Sequence, residues 1–493
     1  MGEEEGQRRI ALVLALGGRG DVLPLLTVLA SLLQQDAGVS SALDVVIGTH
    51  PHHVELCSTL MSSRFPSVSI YPIDSPVIKM DCDDSFYSKT SIIELVRNVL
   101  SQPKHKLVLV LINLFSLEGF VISSLCDVKC IIVHPCPPLV TNDGEEAKSN
   151  FLRLLKIKRP DLFDPTATCN MKSMINWKHY FSWLWPTLTP EYDALYDTLQ
   201  TFLSHVSTER RYGRLAPTVL LAVSPALLGT GTDLSPANCI VTGAVKETSG
   251  FRQDIVESII NVFASKNSHS LVFIDFGSMT EVLLEVRDVS VFLRSLLLLD
   301  SFNFVFICHQ HFNALHAIMN AVIIEHTSST RDEEEASPNK RILDNDKSIE
   351  FAIFGNTQLV LVGGDVSHSL LLHRCVTVIH HGGVGTTTAC MCAGIPQVVV
   401  PLMYDQSLWG DRVKELELGP TPLPLYIIFP AKEDMFDGNR DGNGNGDGNG
   451  SGGDGSDEPF ITACFQLLKR ALQQSSCPQQ RLKAGSFGRA LRM

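Results

Sequence analysis

The sequence predicts an α/β protein built on parallel sheets, and three observations carry that prediction. Near the N-terminus the apolar run Ile10–Leu16 stops at Gly17-Gly18-Arg19-Gly20-Asp21 and gives way to Leu25, Leu29, Leu32 and Leu33 at helical spacing. Far along the chain the run Val376–Ile379 stops at His380-His381-Gly382-Gly383-Val384-Gly385. A helix is expected there over Thr386–Ala393, with Gly394 and Pro396 as its stop, before the buried run Gln397–Val400. Between these two units short apolar runs keep alternating with helical stretches, which is the pattern of strands joined by crossover helices.

Taken in order, the first loop fails as a dinucleotide cradle, because Leu23 stands where a third glycine is required and no acidic residue ends the next strand, Val45–Ile47. Pro24 is expected in the first turn of the helix, where N–H groups lack partners anyway. Asp21 lies between strand end and helix start, and two readings stand: a helix N-cap or a general base. Thr49-His50-Pro51-His52-His53 reads as a solvated turn, with a role in acceptor binding as the second reading. Leu107–Asn113, Cys130–Val133 and Val219–Ser224 read as further strands of a first domain, 1–225. Within it, 150–213 is dense in aromatic residues, among them Trp177, Trp183 and Trp185, which suits a core, an acceptor lid or a membrane-surface contact.

A linker is expected over 226–239. The second domain, 240–493, then opens at Ile240-Val241-Thr242-Gly243 and continues with a helical stretch around Ile255–Phe263. Leu271–Ile274 is a strand ending in Asp275-Phe276-Gly277-Ser278-Met279-Thr280, a junction at which Ser278 suits either a phosphate contact or an ordinary cap. Phe304–Cys308 and Gln358–Val362 continue the sheet. The charged stretch Ser328–Lys347 reads as a solvated loop, Leu425–Phe429 as a short strand, and Ile461–Leu472 as a helix. The tract 437–458, rich in Gly, Asp and Asn, cannot bury a core and reads as disordered, with no match to a known calcium loop.

Composition excludes several classes. A formal charge of −13 argues against nucleic-acid binding. No apolar window is long enough to span a bilayer, and MGEEEGQRR fits neither a secretory signal nor a myristoylation site. Thirteen cysteines without a secretory signal suit reduced thiols in the cytoplasm. Cys308-His309-Gln310-His311 lacks a distant ligand pair, and Cys390 and Cys392 fall inside a helix, so no metal site is expected.

The stretches His380–Pro420, Gly17–Pro24 and Phe276–Met279 together resemble the UDP-glycosyltransferase superfamily, nearest to its sterol 3-β-glucosyltransferases and bacterial antibiotic glycosyltransferases. The resemblance implies the GT-B fold, two Rossmann-like parallel-sheet domains facing across a cleft, the first binding acceptor and the second nucleotide-sugar. It implies that His381 meets the donor diphosphate, with Gly382, Gly383, Gly385, Thr386 and Thr387 forming the turn and Ser278 adding a facing contact. Asp405 and Gln406 would bind the sugar hydroxyls, with Trp409 beside them, and Asp21 would be the catalytic base. The implied reaction is inverting transfer of a hexose, glucose by preference, from a UDP-sugar to a sterol or other lipophilic alcohol. No metal or other cofactor takes part, and peripheral membrane contact is compatible. Alternatives are a small phenolic acceptor or a non-catalytic protein that binds nucleotide-sugar or lipid. The sequence departs from the family at Leu370, where a uracil-stacking tryptophan is usual, and at Gly18 and Leu23. It also lacks a recognisable closing helix.

Overall fold

The computed structural model describes residues 8–35, 43–74, 89–100, 102, 105–113, 116, 118–134, 218–228, 239–243, 270–309, 311–329, 340–343, 350–354, 359–363, 371–402, 406–431 and 458–492. Two compact units divide the chain, Met1–Lys246 and Glu247–Met493. The aromatic stretch 150–213, the segment Ile255–Phe263, residues 437–457 of the glycine-rich tract, Leu370 and Asp405 lie outside the described residues, while Glu458, the last residue of that tract, opens a helix.

The first unit holds β1 (Arg8–Ala15), β2 (Leu43–Thr49), β3 (Val68–Pro72), β4 (His105–Ile112), β5 (Lys129–His134), β6 (Thr218–Leu221) and β7 (Cys239–Val241). Their order is β3-β2-β1-β4-β5-β6-β7, and every pairing is parallel. β1 is central and its residues Ile10–Leu16 are buried, as a strand covered on both faces requires. The chain leaves β1 toward β2 on one side and later returns to β4 on the other. The β1/β4 edge is therefore the topological switch point, where an open parallel sheet binds ligands. Helix Arg19–Gln35 buries Val22, Leu25, Leu26, Leu29 and Leu33 in the core built on β1 and β2.

Two expectations for this unit are corrected. β7 pairs with β6 through Val219↔Cys239 to Leu221↔Val241, so Ile240 and Val241 end the first sheet rather than open the second domain, and the boundary falls after Lys246 instead of within 226–239. The helix begins at Arg19, which puts Pro24 in its second turn, at the cost of one intrahelical N–H donor.

The second unit holds β8 (Ser270–Asp275), β9 (Phe302–His309), β10 (Lys340–Leu343), β11 (Glu350–Phe354), β12 (Leu359–Gly363), β13 (Thr377–His380) and β14 (Gln397–Val399), in the order β10-β11-β12-β9-β8-β13-β14. From β12 to β14 the pairing is parallel, with a second switch point between β8 and β13. β10 and β11 add an antiparallel edge, so Lys340–Leu343 is a strand and not part of a solvated loop.

Leu425–Ile428 is a short helix and not a strand, since the N–H groups of Ile427 and Ile428 both donate to Pro424 O. It delivers Phe429 into a fully buried aromatic cluster with Phe276, Phe292 and Phe306, and the Phe276 and Phe429 rings meet edge to face at 5.2 Å. The basic C-terminal stretch is also helical. Pro478–Arg492 packs on helix Val384–Ala393, and a Cβ at Gly488 would lie 2.7 Å from both Gly394 Cα and Met391 O. Only a residue without a side chain allows that approach. No helix among the described residues is long and apolar enough to cross a membrane.

Candidate functional site

A loop leaving a buried strand carries peptide groups that have lost the ladder, and each needs another partner. Residues 16–21 meet this need from both neighbouring strands. From the β2 side, Gly17 N–H donates to His50 Nε2 at 2.8 Å, and His53 Nε2 lies 3.1 Å from Gly17 O, which only accepts, so that nitrogen bears the proton. Thr49 Oγ1 donates to Ala15 O at 2.7 Å. From the β4 side, Asn113 Nδ2 donates to Leu16 O at 2.6 Å and lies 3.3 Å from Asp21 O. Ser116 Oγ lies 2.7 Å from both Leu14 O and Asn113 Oδ1.

His50 and His53 are thus buried clamps, which corrects the solvated-turn reading. Burial first, then the neighbouring His52, lowers the His53 pKa to about 4, against the rise its bond to Gly17 would give, so the ring is neutral at physiological pH. The sequence did contain a signal for this network: polar side chains stand at the ends of both strands that flank β1.

Asp21 is the third residue of its helix, half-buried, and its Oδ2 accepts the Gly18 N–H at 3.0 Å. A cap would point forward to the N–H groups of the first turn. Asp21 instead reaches back to the loop, as the acidic partner of a capping box does. Its carboxylate is thereby held at the loop, at the C-terminal end of the central strand.

In the second unit the analogous edge carries the turn His380–Gly383. His380 is fully buried; its Nδ1 accepts the Gly382 N–H at 3.1 Å and its Nε2 donates to Gln397 Oε1 at 3.0 Å. Those two bonds fix a neutral imidazole with its proton on Nε2. Gly382 has φ 90°, and a Cβ there would stand 2.7 Å from Gln406 O. Both the backbone and the space demand glycine. A Cβ at Gly383 would collide with the His381 ring.

Helix Val384–Ala393 starts two residues earlier than its sequence suggests, with Gly383 as N-cap, and ends at Gly394 with φ 74°. Gly385 is exposed within its first turn. Thr386 and Thr387 are buried, and Thr387 Oγ1 donates back to Gly383 O at 2.9 Å, so this hydroxyl braces the turn.

Ser278 is exposed at the start of helix Met279–Val286 and makes no cap bond. Its loop approaches His381, because a Cβ on Gly277 would lie 3.4 Å from His381 Cε1. Phe276 anchors this loop in the aromatic cluster, while Asp275 Oδ1 accepts the Gly277 N–H at 2.7 Å. The β8 and β13 turns thus converge at the second switch point, and His381, Gly382, Gly383 and the Ser278 loop are brought together. Gln406 joins them through its backbone, and its Oε1 accepts the Leu402 N–H at 2.8 Å. Trp409 is 1% exposed and belongs to the core. Two helix N-termini, one entered through Gly277-Ser278 and the other through Gly382-Gly383, can hold an anionic group through backbone N–H donors. Among the described residues, no three His, Cys, Asp or Glu side chains are grouped to hold a metal.

Residues 354–424 match the family described as erythromycin biosynthesis protein CIII-like, C-terminal domain. A 61-residue stretch is 48% identical to a sterol 3-beta-glucosyltransferase of Arabidopsis thaliana, covering 12% of this chain and 10% of that protein. Another of 66 residues is 44% identical to the vancomycin aglycone glucosyltransferase of Amycolatopsis orientalis, covering 13% of this chain and 16% of that protein. The matched part is therefore a small fraction of these relatives. In overall fold the chain is similar to the glycotransferase of kitacinnamycin, at TM-score 0.52, 13% identity, and 99% and 95% coverage of the two chains. A calicheamicin glycosyltransferase gives 0.51, 12%, 99% and 94%. At such identities the likeness concerns the fold, two parallel-sheet α/β units of the GT-B kind.

Proposed function

We infer that this chain, which belongs to the UDP-glycosyltransferase superfamily, moves a hexose, glucose by preference, from a UDP-sugar to a hydroxyl of a sterol or other lipophilic alcohol. The observation that carries this reading is the convergence of the Gly277 and His381–Gly383 turns at one switch point, the second turn lying within the family match at 354–424, beside the short matches to glucosyltransferases of sterols and an antibiotic aglycone.

In this reading the N–H groups opening helix Val384–Ala393, with His381 and Ser278, take the diphosphate. Charge builds there as the anomeric carbon–oxygen bond breaks, and each well-placed donor contributes on the order of 3 kcal/mol to the transition state. Asp405 and Gln406 hold the sugar. The bond from Leu402 N–H to Gln406 Oε1 orients the side-chain amide.

Asp21 takes the acceptor proton while that oxygen bonds to the anomeric carbon from the opposite face, giving inversion, and UDP leaves with the bonding electron pair. The backbone donors and His381 supply the leaving-group stabilisation, so the reaction proceeds without metal.

Calorimetric titration with UDP, followed by a mass-spectrometric screen of UDP-glucose with sterols, other lipophilic alcohols and small phenols, tests the reading. UDP binding with a hexosylated sterol or lipophilic alcohol is expected. UDP binding without transfer to any acceptor would show a non-catalytic binder. Transfer to phenols alone would move the acceptor class.

A further inference from the structure

We propose that His309, seated on the buried carboxylate of Asp275, is a further donor-binding residue of this chain and contacts the diphosphate of the nucleotide-sugar. The inference rests on the UDP-sugar reading and extends its site by one strand.

β9, β8 and β13 are neighbours in the sheet and run parallel, so their C-terminal ends share an edge. Asp275 stands level with Ile307 of β9 and His380 of β13, which brings His309 and His381 out of the sheet on either side of it. Asp275 is 1% exposed, and its Oδ1 lies 3.1 Å from His309 Nε2 as well as accepting Gly277 N–H. A carboxylate only accepts, so His309 Nε2 carries a proton toward it.

A buried carboxylate one residue from an anion-binding turn opposes the ligand, and the opposition is strong where water is scarce. The His309 N–H on that carboxylate offsets part of the repulsion, and a ring protonated on both nitrogens adds attraction to the ligand. The His309 backbone adopts φ 49°, a left-handed conformation that a non-glycine residue enters at a cost, and its ring is 21% exposed at this edge. The strained residue thus keeps a partly accessible ring on the carboxylate that also braces the turn beside His381.

The titratable and charged groups around it are Asp275 on β8, His311 two residues on, Glu281 beside His311, and His381 beyond Gly277. Burial lowers the His311 pKa and holds the Cys308 thiol far above its usual range, while β12 brings no titratable side chain to the pair.

The experiment is titration of the full chain with UDP at about pH 6 and about pH 8, in wild type, His309→Gln and Asp275→Asn, with thermal melting to establish folding. His309→Gln is expected to weaken UDP on the order of tenfold near pH 6, as loss of one charge-assisted hydrogen bond does, and distinctly less near pH 8. The ionisation of UDP itself is common to both proteins and cancels in the ratio. Asp275→Asn is expected to flatten the pH dependence of UDP affinity seen in wild type. Wild-type affinity in folded His309→Gln at both pH values overturns the inference and leaves the donor reading standing. An equal loss at both values overturns it as well, since a defect of folding or packing does not track the proton. Absence of UDP binding in wild type overturns both readings.

Discussion

The N–H of Gly17 donates to Nε2 of His50 at 2.8 Å, so the loop that carries Asp21 is tied to the end of the neighbouring strand by a side chain with no surface exposure. Replacing His50 by Ala leaves a buried peptide donor without its partner, which costs about 1–3 kcal/mol. His50→Ala is therefore expected to lose that much in urea unfolding. His50→Gln, which can present an acceptor oxygen, is expected to recover part of it.

His53 holds the carbonyl of the same residue, Gly17, and its pKa is lowered to about 4 from the usual 6.5. On acidification the unfolded chain takes up this proton near 6.5, while the folded chain resists until about 4. The contribution is fully present above 6.5 and is lost progressively as pH falls through that window; 2.5 units at ~1.36 kcal/mol each makes it on the order of 3 kcal/mol. Denaturation midpoints measured across the window should fall more steeply in wild type than in His53→Gln. Parallel curves would contradict the assignment.

Phe276 belongs to the sequence motif but points into the core, edge to face with Phe429 at 5.2 Å. Phe276→Ala is expected to destabilise the second unit by about 3–5 kcal/mol. Because the same residue anchors the Gly277 turn, UDP affinity should fall as well, and calorimetry on the folded fraction measures it.

Gly382 has no room for a methyl group beside Gln406 O, and its φ is left-handed. Gly382→Ala is expected to cost more than ~1 kcal/mol in stability and to weaken UDP binding by moving the turn. Retention of both would show that the turn tolerates displacement.

Both central motifs were legible because the signal is physical and local: a short apolar run, an abrupt glycine break, then helical spacing. The β10–β11 edge was hidden because Lys340–Leu343 and Glu350–Phe354 border a strongly charged stretch, so polarity masked the pairing. Cys239–Val241 is too short to show alternation, and Leu425–Ile428 too short to separate strand from helix by period. The burial of His50 and His53 follows from peptide groups far away in sequence, which no residue-by-residue pattern records. Neither the Asp275–His309 pair nor the bracing role of Thr387 is visible without the sheet register.

In the proposed reaction, transfer depends most on Asp21 accepting the acceptor proton. The direct measurement is the rate of hexose transfer from UDP-glucose to a sterol acceptor in Asp21→Asn beside wild type, with UDP affinity measured on both. A loss on the order of 10²–10⁴ in turnover with UDP affinity retained is the predicted result. Unchanged turnover in Asp21→Asn would contradict it.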